Sequence, residues 1–254
     1  MLEDYGYDQL PDVPYERRKL QYEDVFPVLY LKYRLLGKSS QKEIKHLVID
    51  EMQDYSYMQY VILENLFQCR MTILGDYAQT LDTKQQDVLR FLPKIFGRGI
   101  RKVILNKSYR NTYEIAQYAA QISGITGLEV LERPGRQVDV RRFATEDEML
   151  AAIASNVNLG TDGYETGAVI TMTEEEAYDI YRLLIKRGVD AAYVDRDSSA
   201  FKRGLTVTTF YLAKGLEFDQ VFTIRGTKEN PLAEQAEYIS ATRALQELYV
   251  YGAE

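Results

Sequence analysis

Lys45-His46-Leu47-Val48-Ile49-Asp50-Glu51-Met52-Gln53-Asp54-Tyr55 decides the reading of this chain. Leu47 to Ile49 form a short apolar run, the pattern of a buried strand, and two adjacent carboxylates stand at its end. In an open α/β sheet, ligands sit at the ends of strands. A strand that stops in Asp50-Glu51 therefore offers one acid to a divalent cation and the next to a reacting water, because hard cations prefer carboxylate oxygens. The same pair also suits a helix start, since Asp is a favoured N-cap and acids stabilise a first turn. On this stretch alone both readings stand.

Working outward, apolar residues recur at helical spacing over 22–36 and stop at Gly37. Gly37-Lys38-Ser39 echoes the tail of a phosphate-binding loop. That loop needs a strand before it and a glycine five positions ahead, where this chain has Lys32, so a helix C-cap and loop is expected instead. Residues 57–67 read as an amphipathic helix and 71–74 as a second buried strand, ending in Gly75-Asp76 with Gln79 beyond. A helix over 88–96 precedes Gly97-Arg98-Gly99, the clearest domain boundary. Past it the pattern predicts a strand at 103–105 and a helix over 112–122, capped by Asn111 or Thr112. A strand over 138–143 follows the turn at Arg133-Pro134-Gly135-Arg136, with a helix over 146–157 after it. Next come a strand at 168–171, a helix over 174–186, and strands at 191–194, 205–209 and 220–224. A last helix from 233 to about 245 precedes a closing strand at 248–251. Such alternation predicts an α/β fold with parallel sheets flanked by helices. Two units are expected, 1–97 and 98–254.

The apolar content of 46% over 254 residues is ample for real cores. The net charge of −7 argues against a surface that grips nucleic acid all over. Residues 1–24 carry seven acids against three bases, which concentrates the excess at a Tyr- and Pro-containing front with no clear period. One cysteine, Cys69, excludes an internal disulfide framework and fits a reducing compartment. With no signal-like apolar region and no run long enough to span a bilayer, a cytoplasmic protein with no membrane partner is expected. His46 reads as a solvated strand-edge residue and Cys69 as a small core residue.

Five polar clusters stand in a fixed order at or near strand ends: Asp50 to Asp54, Gly75 to Gln79, Asn106 to Asn111, Thr208-Thr209 with Lys214 to Asp219, and Tyr238 to Ala244. Together they resemble the superfamily-one helicases of the UvrD/Rep type, from the second conserved motif to the sixth. The closest flavour is the HelD-like group of RNA polymerase-associated motors, suggested by Asp54-Tyr55-Ser56 and by Tyr211-Leu212-Ala213-Lys214-Gly215-Leu216-Glu217-Phe218. The resemblance runs from about residue 25 to the end of the chain. It implies RecA-like domains of the phosphate-loop NTPase type, one partial and one complete, which clamp ATP and walk along nucleic acid.

Carried onto this sequence, Asp50 would hold Mg²⁺ through water and Glu51 would activate the attacking water. Gln79 would sense the γ-phosphate, and Arg110 and Arg243 would reach it as arginine fingers. Tyr109 would stack on adenine, Glu217 would bind the ribose, and Gly215 and Lys214 would complete the nucleotide contact, Lys214 being either structural or phosphate-facing. Thr208 and Thr209 would offer hydroxyls to nucleic-acid phosphates. The chemistry is consistent with these types, because phosphoryl transfer is mostly positioning and charge neutralisation. The bland readings are surface ion pairs for the two arginines, a core place for Tyr109 and a turn at Gly215.

The sequence departs from the family pattern in three ways. No phosphate-binding loop precedes Asp50, so a C-terminal portion lacking the front half of the motor is expected, inactive toward ATP by itself. Thr80-Leu81-Asp82-Thr83-Lys84 stand where an aromatic and an arginine would stack a DNA strand, which weakens that stacking mode. Because the chain is acidic, weak binding to single-stranded nucleic acid is expected, and the resemblance favours DNA over RNA. The 98 residues from Arg110 to Thr208 are too few for a large inserted domain, and Tyr211 stands near the place of a common histidine. The alternative function is a non-catalytic module that keeps the fold and docks a partner such as RNA polymerase through its acidic front.

Overall fold

Separate hydrophobic interiors divide the chain. The computed structural model describes residues 14, 20–37, 41–80, 88–97, 99–127, 129–198, 203–226 and 230–254. Two compact units result, 1–75 with 86–101, and 76–85 with 102–254. The acidic front, Lys38-Ser39 and Leu81-Asp82-Thr83-Lys84 lie outside the described residues, apart from Pro14 and the stretch from Leu20 onward.

The first unit holds α1 (Tyr22–Leu36), β1 (His46–Ile49), α2 (Tyr57–Leu66), β2 (Arg70–Ile73) and α3 (Val88–Phe96). β1 and β2 pair in parallel with Ile49 opposite Ile73. Ile49, Tyr60, Val88 and Leu92 form the interior, with Leu47, Met71 and Phe91 packed against it. The two strands are not the buried runs expected from their sequence. Only Ile49 is buried, and Val48 is 60% exposed. A two-stranded sheet covered on one face leaves alternate residues in water; His46 accordingly meets Thr72 through Nε2 and Oγ1 at 2.9 Å on exposed positions. α1 has the expected bounds, yet none of its residues is buried.

The second unit contains β3 (Lys107–Ser108), α4 (Tyr113–Ser123), β4 (Glu129–Val130), β5 (Asp139–Phe143), α5 (Glu146–Asn156), β6 (Thr166–Thr171), α6 (Glu174–Lys186), β7 (Ala191–Tyr193), β8 (Gly204–Thr209), β9 (Phe218–Arg225), α7 (Ala233–Thr242) and β10 (Ala244–Ala253). Six of its strands form one parallel sheet in the order β5-β10-β9-β6-β8-β7. Ile115 and Ala119 of α4 and Ala236 and Ile239 of α7 cover one face, over Ile170, Val221 and Val250. Met149 and Ile153 of α5 and Ile180 and Leu184 of α6 cover the other, over Val169, Val207 and Phe222. This is the α/β fold with a helix-flanked parallel sheet that the alternation of elements predicts. Thr145 and Thr173 cap α5 and α6, and Glu176 completes a capping box in α6.

Three boundaries differ from expectation. Val103, Ile104 and Leu105 form no strand and are 65%, 72% and 86% exposed. A β-branched run becomes a strand only beside a partner, and the paired residues are instead Lys107-Ser108, bonded to β4. α7 stops at Thr242 because β10 begins two residues later. Neither Asn111 nor Thr112 caps α4 with its side chain; the Asn111 amide is used elsewhere. Among the described residues no helix is long and apolar enough to cross a membrane.

Candidate functional site

The acids of the first unit sit on a turn that other residues pin. Met52 donates its amide to Leu74 O at 2.8 Å, Leu74 donates to Ile49 O at 2.8 Å, and the buried Tyr60 phenol donates to Met52 O at 3.0 Å. Burial first, then the neighbouring Tyr55 and Asp54, pushes the Tyr60 phenol well above its ordinary range, so it stays protonated and donates. Gly75 leaves room for this turn: a Cβ there would lie 2.4 Å from Met52 Cγ and 2.7 Å from Met52 N. Glu51 takes left-handed backbone angles (φ 52°, ψ 48°), the one described non-glycine residue with positive φ. Such a conformation costs roughly 1–3 kcal/mol and clusters at functional sites.

Neither acid caps α2; Glu51 instead stands at the start of a single 3-10 turn, Met52–Asp54, without a side-chain capping bond. Ser56 caps α2, accepting from Gln59 N at 3.3 Å while Gln59 Oε1 accepts from Ser56 N at 2.6 Å. Asp50 is exposed, with Oδ1 accepting the Glu51 amide at 2.8 Å. Glu51 Oε2 accepts from the buried Gln53 amide at 2.6 Å. One exposed, oriented carboxylate fits Mg²⁺, which keeps most of its waters and takes one or two protein ligands.

The second unit brings together residues far apart in sequence. Asp76 accepts from Ala78 N at 3.0 Å on Oδ1, and on Oδ2 from Gln79 Nε2 at 2.9 Å and from the Tyr238 phenol at 2.9 Å. Gln79 Oε1 accepts from Arg243 Nη2 at 3.0 Å, and Gln79 O accepts from Lys214 Nζ at 2.9 Å. A carboxylate on one side and a guanidinium on the other fix which end of the Gln79 amide is oxygen. Arg243 is only 3% exposed and also donates to Ile239 O at 3.3 Å, Leu216 O at 3.4 Å and Thr242 Oγ1 at 3.1 Å.

Arg110 and Glu217 pair with each other at 2.9 Å, both about half exposed. Beside them Asn111 is buried and donates to Ala244 O at 2.6 Å and Thr242 O at 3.3 Å, tying the Arg110 loop to the Arg243 turn. Tyr109 is 64% exposed rather than a core aromatic. Gly215 has φ +82°, so the turn reading of this glycine holds in its backbone. Thr208 and Thr209 are fully buried. The Thr208 hydroxyl donates to Val194 O at 2.9 Å, and the Thr209 hydroxyl has no partner among the described residues. Neither hydroxyl reaches the surface in this structure.

Sequence reasoning passed over Asp76 and Tyr238 as individual residues, although each lies within a cluster it singled out, and it read Asn111 only as a helix cap. It also missed a polar set at the carboxyl end of β9. Arg225 donates to Glu237 at 2.7 and 2.8 Å, and Tyr118 donates to Glu237 at 2.6 Å, beside a cavity of about 480 Å³. Burial opposes ionisation of Glu237, but the bonds from Arg225 and Tyr118 outweigh it and hold the carboxyl below its ordinary range. No sequence signal marks this set. It is formed by residues from α4, β9 and α7 whose meeting depends on the sheet.

Comparison with known proteins bears on the stretch that carries Asp50, Glu51 and Gln79. Residues 17–81 match the UvrD/REP helicase N-terminal domain. Among solved structures, the chain is similar to the C-terminal domain of a possible DNA helicase from Lactobacillus plantarum WCFS1, at 22% identity over 57% of this chain and 88% of that one, with a TM-score of 0.43. It is also similar to the arterivirus nonstructural protein 10 helicase, at 17% identity over 85% of this chain and 40% of that one, with a TM-score of 0.47. The same viral helicase in complex with DNA gives 17% identity, 85% and 41% coverage and a TM-score of 0.47. The chain thus spans less than half the length of the viral helicase. No curated protein sequence matches it.

Proposed function

We propose that this chain is the C-terminal portion of an ATP-driven superfamily-one motor of the UvrD/Rep type, nearest the HelD-like group, working in the cytoplasm on single-stranded DNA. One observation carries the reading. Lys214 and Arg243, nominated separately from sequence clusters up to 164 residues from Gln79, both donate hydrogen bonds to Gln79 in one unit. The match of residues 17–81 to the UvrD/REP helicase N-terminal domain supports it independently.

In this reading Asp50 holds Mg²⁺, which when bound neutralises charge on the phosphates. Glu51 takes the proton of the attacking water, and its left-handed backbone and bond from Gln53 aim its carboxylate. Gln79 senses the γ-phosphate. Arg110 and Arg243 neutralise the charge that develops on the transferred group, a contribution worth ~10³–10⁵ in rate. Tyr109, exposed and aromatic, stacks on adenine. Glu217 exchanges its Arg110 partner for the ribose hydroxyls, while Gly215 and Lys214 set the turn between them. Thr208 and Thr209 meet nucleic-acid phosphates only after the end of β8 opens. The two boundaries at 97 and 98 mark the rear of the first RecA-like domain and the start of the second.

The phosphate-binding loop belongs to a separate front segment. The experiment mixes this chain with such a segment, one carrying Gly-x-x-x-x-Gly-Lys-Ser/Thr from a UvrD/Rep-type motor, and measures Mg²⁺-dependent ATP hydrolysis. Hydrolysis is expected in the mixture alone and lost with Glu51→Gln. Robust turnover by this chain without the front segment, or none in the mixture, contradicts the reading.

A second reading rests on α1, whose Leu31, Leu35 and Leu36 are 55%, 80% and 78% exposed. Here the fold is kept as a non-catalytic docking module for RNA polymerase. It predicts polymerase capture by this chain, lost with Leu31→Asp, and no hydrolysis in the mixture.

A further inference from the structure

Arg243 cannot meet a phosphate from where it lies. At 3% exposure its guanidinium donates to Ile239 O and Thr242 Oγ1 in its own turn and to Leu216 O in the neighbouring loop, and it also meets Gln79. Of these, Gln79 Oε1 is the acceptor that is itself held by a relay. Gln79 presents its oxygen because its nitrogen is committed to Asp76 Oδ2, and Asp76 Oδ2 is shared with the Tyr238 phenol. Tyr238 and Arg243 sit five residues apart on α7 and the turn after it, so one helix carries both the guanidinium and the group that fixes its partner.

We propose that Tyr238 is a positioning residue that latches Arg243 in a retracted position through Asp76 and Gln79. The latch has room to open. A cavity of about 190 Å³ lies against Asp76 and Tyr238. Gln235 lines the same cavity, and its Oε1 is buried without a partner among the described residues. A buried acceptor left unpaired is costly. A phenol that leaves Asp76 thus finds an acceptor three residues back on its own helix, which gives the second arrangement a bond in place of the one it breaks. Once Tyr238 turns away, Asp76 loses one of the donors that hold it, so the Gln79 amide, and with it one of the acceptors that keep Arg243 inward, is held less firmly. The functional meaning of the latch rests on Arg243 being an arginine finger; its geometry does not.

The test is arginine-selective labelling with phenylglyoxal, followed site by site by mass spectrometry on the full chain. In the unaltered protein Arg243 should react at least about tenfold more slowly than exposed Arg142, the scale set by one charge-assisted hydrogen bond. Tyr238→Phe removes the phenol hydroxyl and keeps the ring, so Arg243 labelling should rise about tenfold. Asp76→Asn leaves one acceptor oxygen where two accept now, so it cannot hold both Ala78 N and Gln79 Nε2, and the loosened Gln79 amide should give a rise of the same order. Arg225, paired with Glu237 in the same unit, is the internal control and should not change.

Fast labelling of Arg243 in the unaltered protein overturns the latch, and so does unchanged labelling in both variants. A rise that Arg225 shares would show general loosening and also overturns it. These results depend only on geometry. An inactive mixture with the front segment would remove the finger reading and leave the latch standing.

Discussion

Arg243 Nη2 and Gln79 Oε1 lie 3.0 Å apart, joining the turn after α7 to the short segment beyond β2. Because Gln79 is 9% exposed and Arg243 3%, the bond is shielded from water, where a charge-assisted hydrogen bond contributes more than at a surface. Removing one partner leaves a buried guanidinium short of an acceptor. Gln79→Ala should therefore destabilise the second unit by about 1–3 kcal/mol in urea unfolding. A loss within experimental error would mean that water replaces the amide without cost.

Asn111 makes a related prediction from the other side of the turn. Its amide meets two backbone carbonyls, of Thr242 and Ala244, that otherwise end α7 and open β10. Asn111→Ala should cost about 1–3 kcal/mol by leaving a buried carbonyl unpaired. Asn111→Asp should cost at least as much, since a carboxylate cannot donate to either oxygen. Chemical denaturation of both variants checks the order.

At Gly75, steric contact decides the outcome. A methyl group there meets the Met52 backbone nitrogen at 2.7 Å, and backbone cannot turn aside as a side-chain tip can. Gly75→Ala should destabilise the first unit by about 1–3 kcal/mol, the usual cost of overpacking. Proton exchange of the Met52 amide, bonded to Leu74 O, should quicken before the rest of the unit does.

Glu51 should show stability traded against function. Replacing a left-handed residue with glycine relieves backbone strain, so Glu51→Gly should raise stability by up to about 1 kcal/mol, less whatever the Gln53 bond contributed. The same change should abolish hydrolysis in the reconstituted mixture. Glu51→Ala loses the same bond without relieving the backbone, so a Glu51→Gly melt no higher than that of Glu51→Ala would show that Glu51 is not strained.

Alkaline pH should unfold the second unit through its buried phenols. Burial first, and then the bond to Glu247, pushes the Tyr249 phenol from its ordinary 10.0 up to about 12. A folded-state pKa raised above the unfolded one gives stability that is fully present below pH 10.0 and lost as pH rises to about 12. Tyr249→Phe should flatten the fall in melting temperature across that window, and an unchanged slope would count against the assignment.

The parallel sheet was legible because short apolar and β-branched runs, such as Ala168 to Thr171 and Leu205 to Thr209, alternate with segments of helical period. Residues 103–105 carry the same signal, yet they form no strand, since periodicity records a tendency and not the presence of a neighbour. Asp50-Glu51 stood out at a strand end, but that Ser56 and not this pair caps α2 is visible only in the folded chain. Thr208 and Thr209 show the converse limit. Their position at a strand end is readable, whereas their burial depends on residues of β7 and of the loop after it. The role of Tyr238 was hidden because the acceptor it meets lies 162 positions earlier.

The central claim of the proposed function is that Arg243 serves as an arginine finger in ATP hydrolysis. Its most direct test is the steady-state ATPase of the mixture containing the front segment, with Arg243→Ala compared with the unaltered chain. The account predicts a fall in kcat of ~10³ or more with ATP binding retained. A kcat within twofold of the unaltered mixture would contradict it.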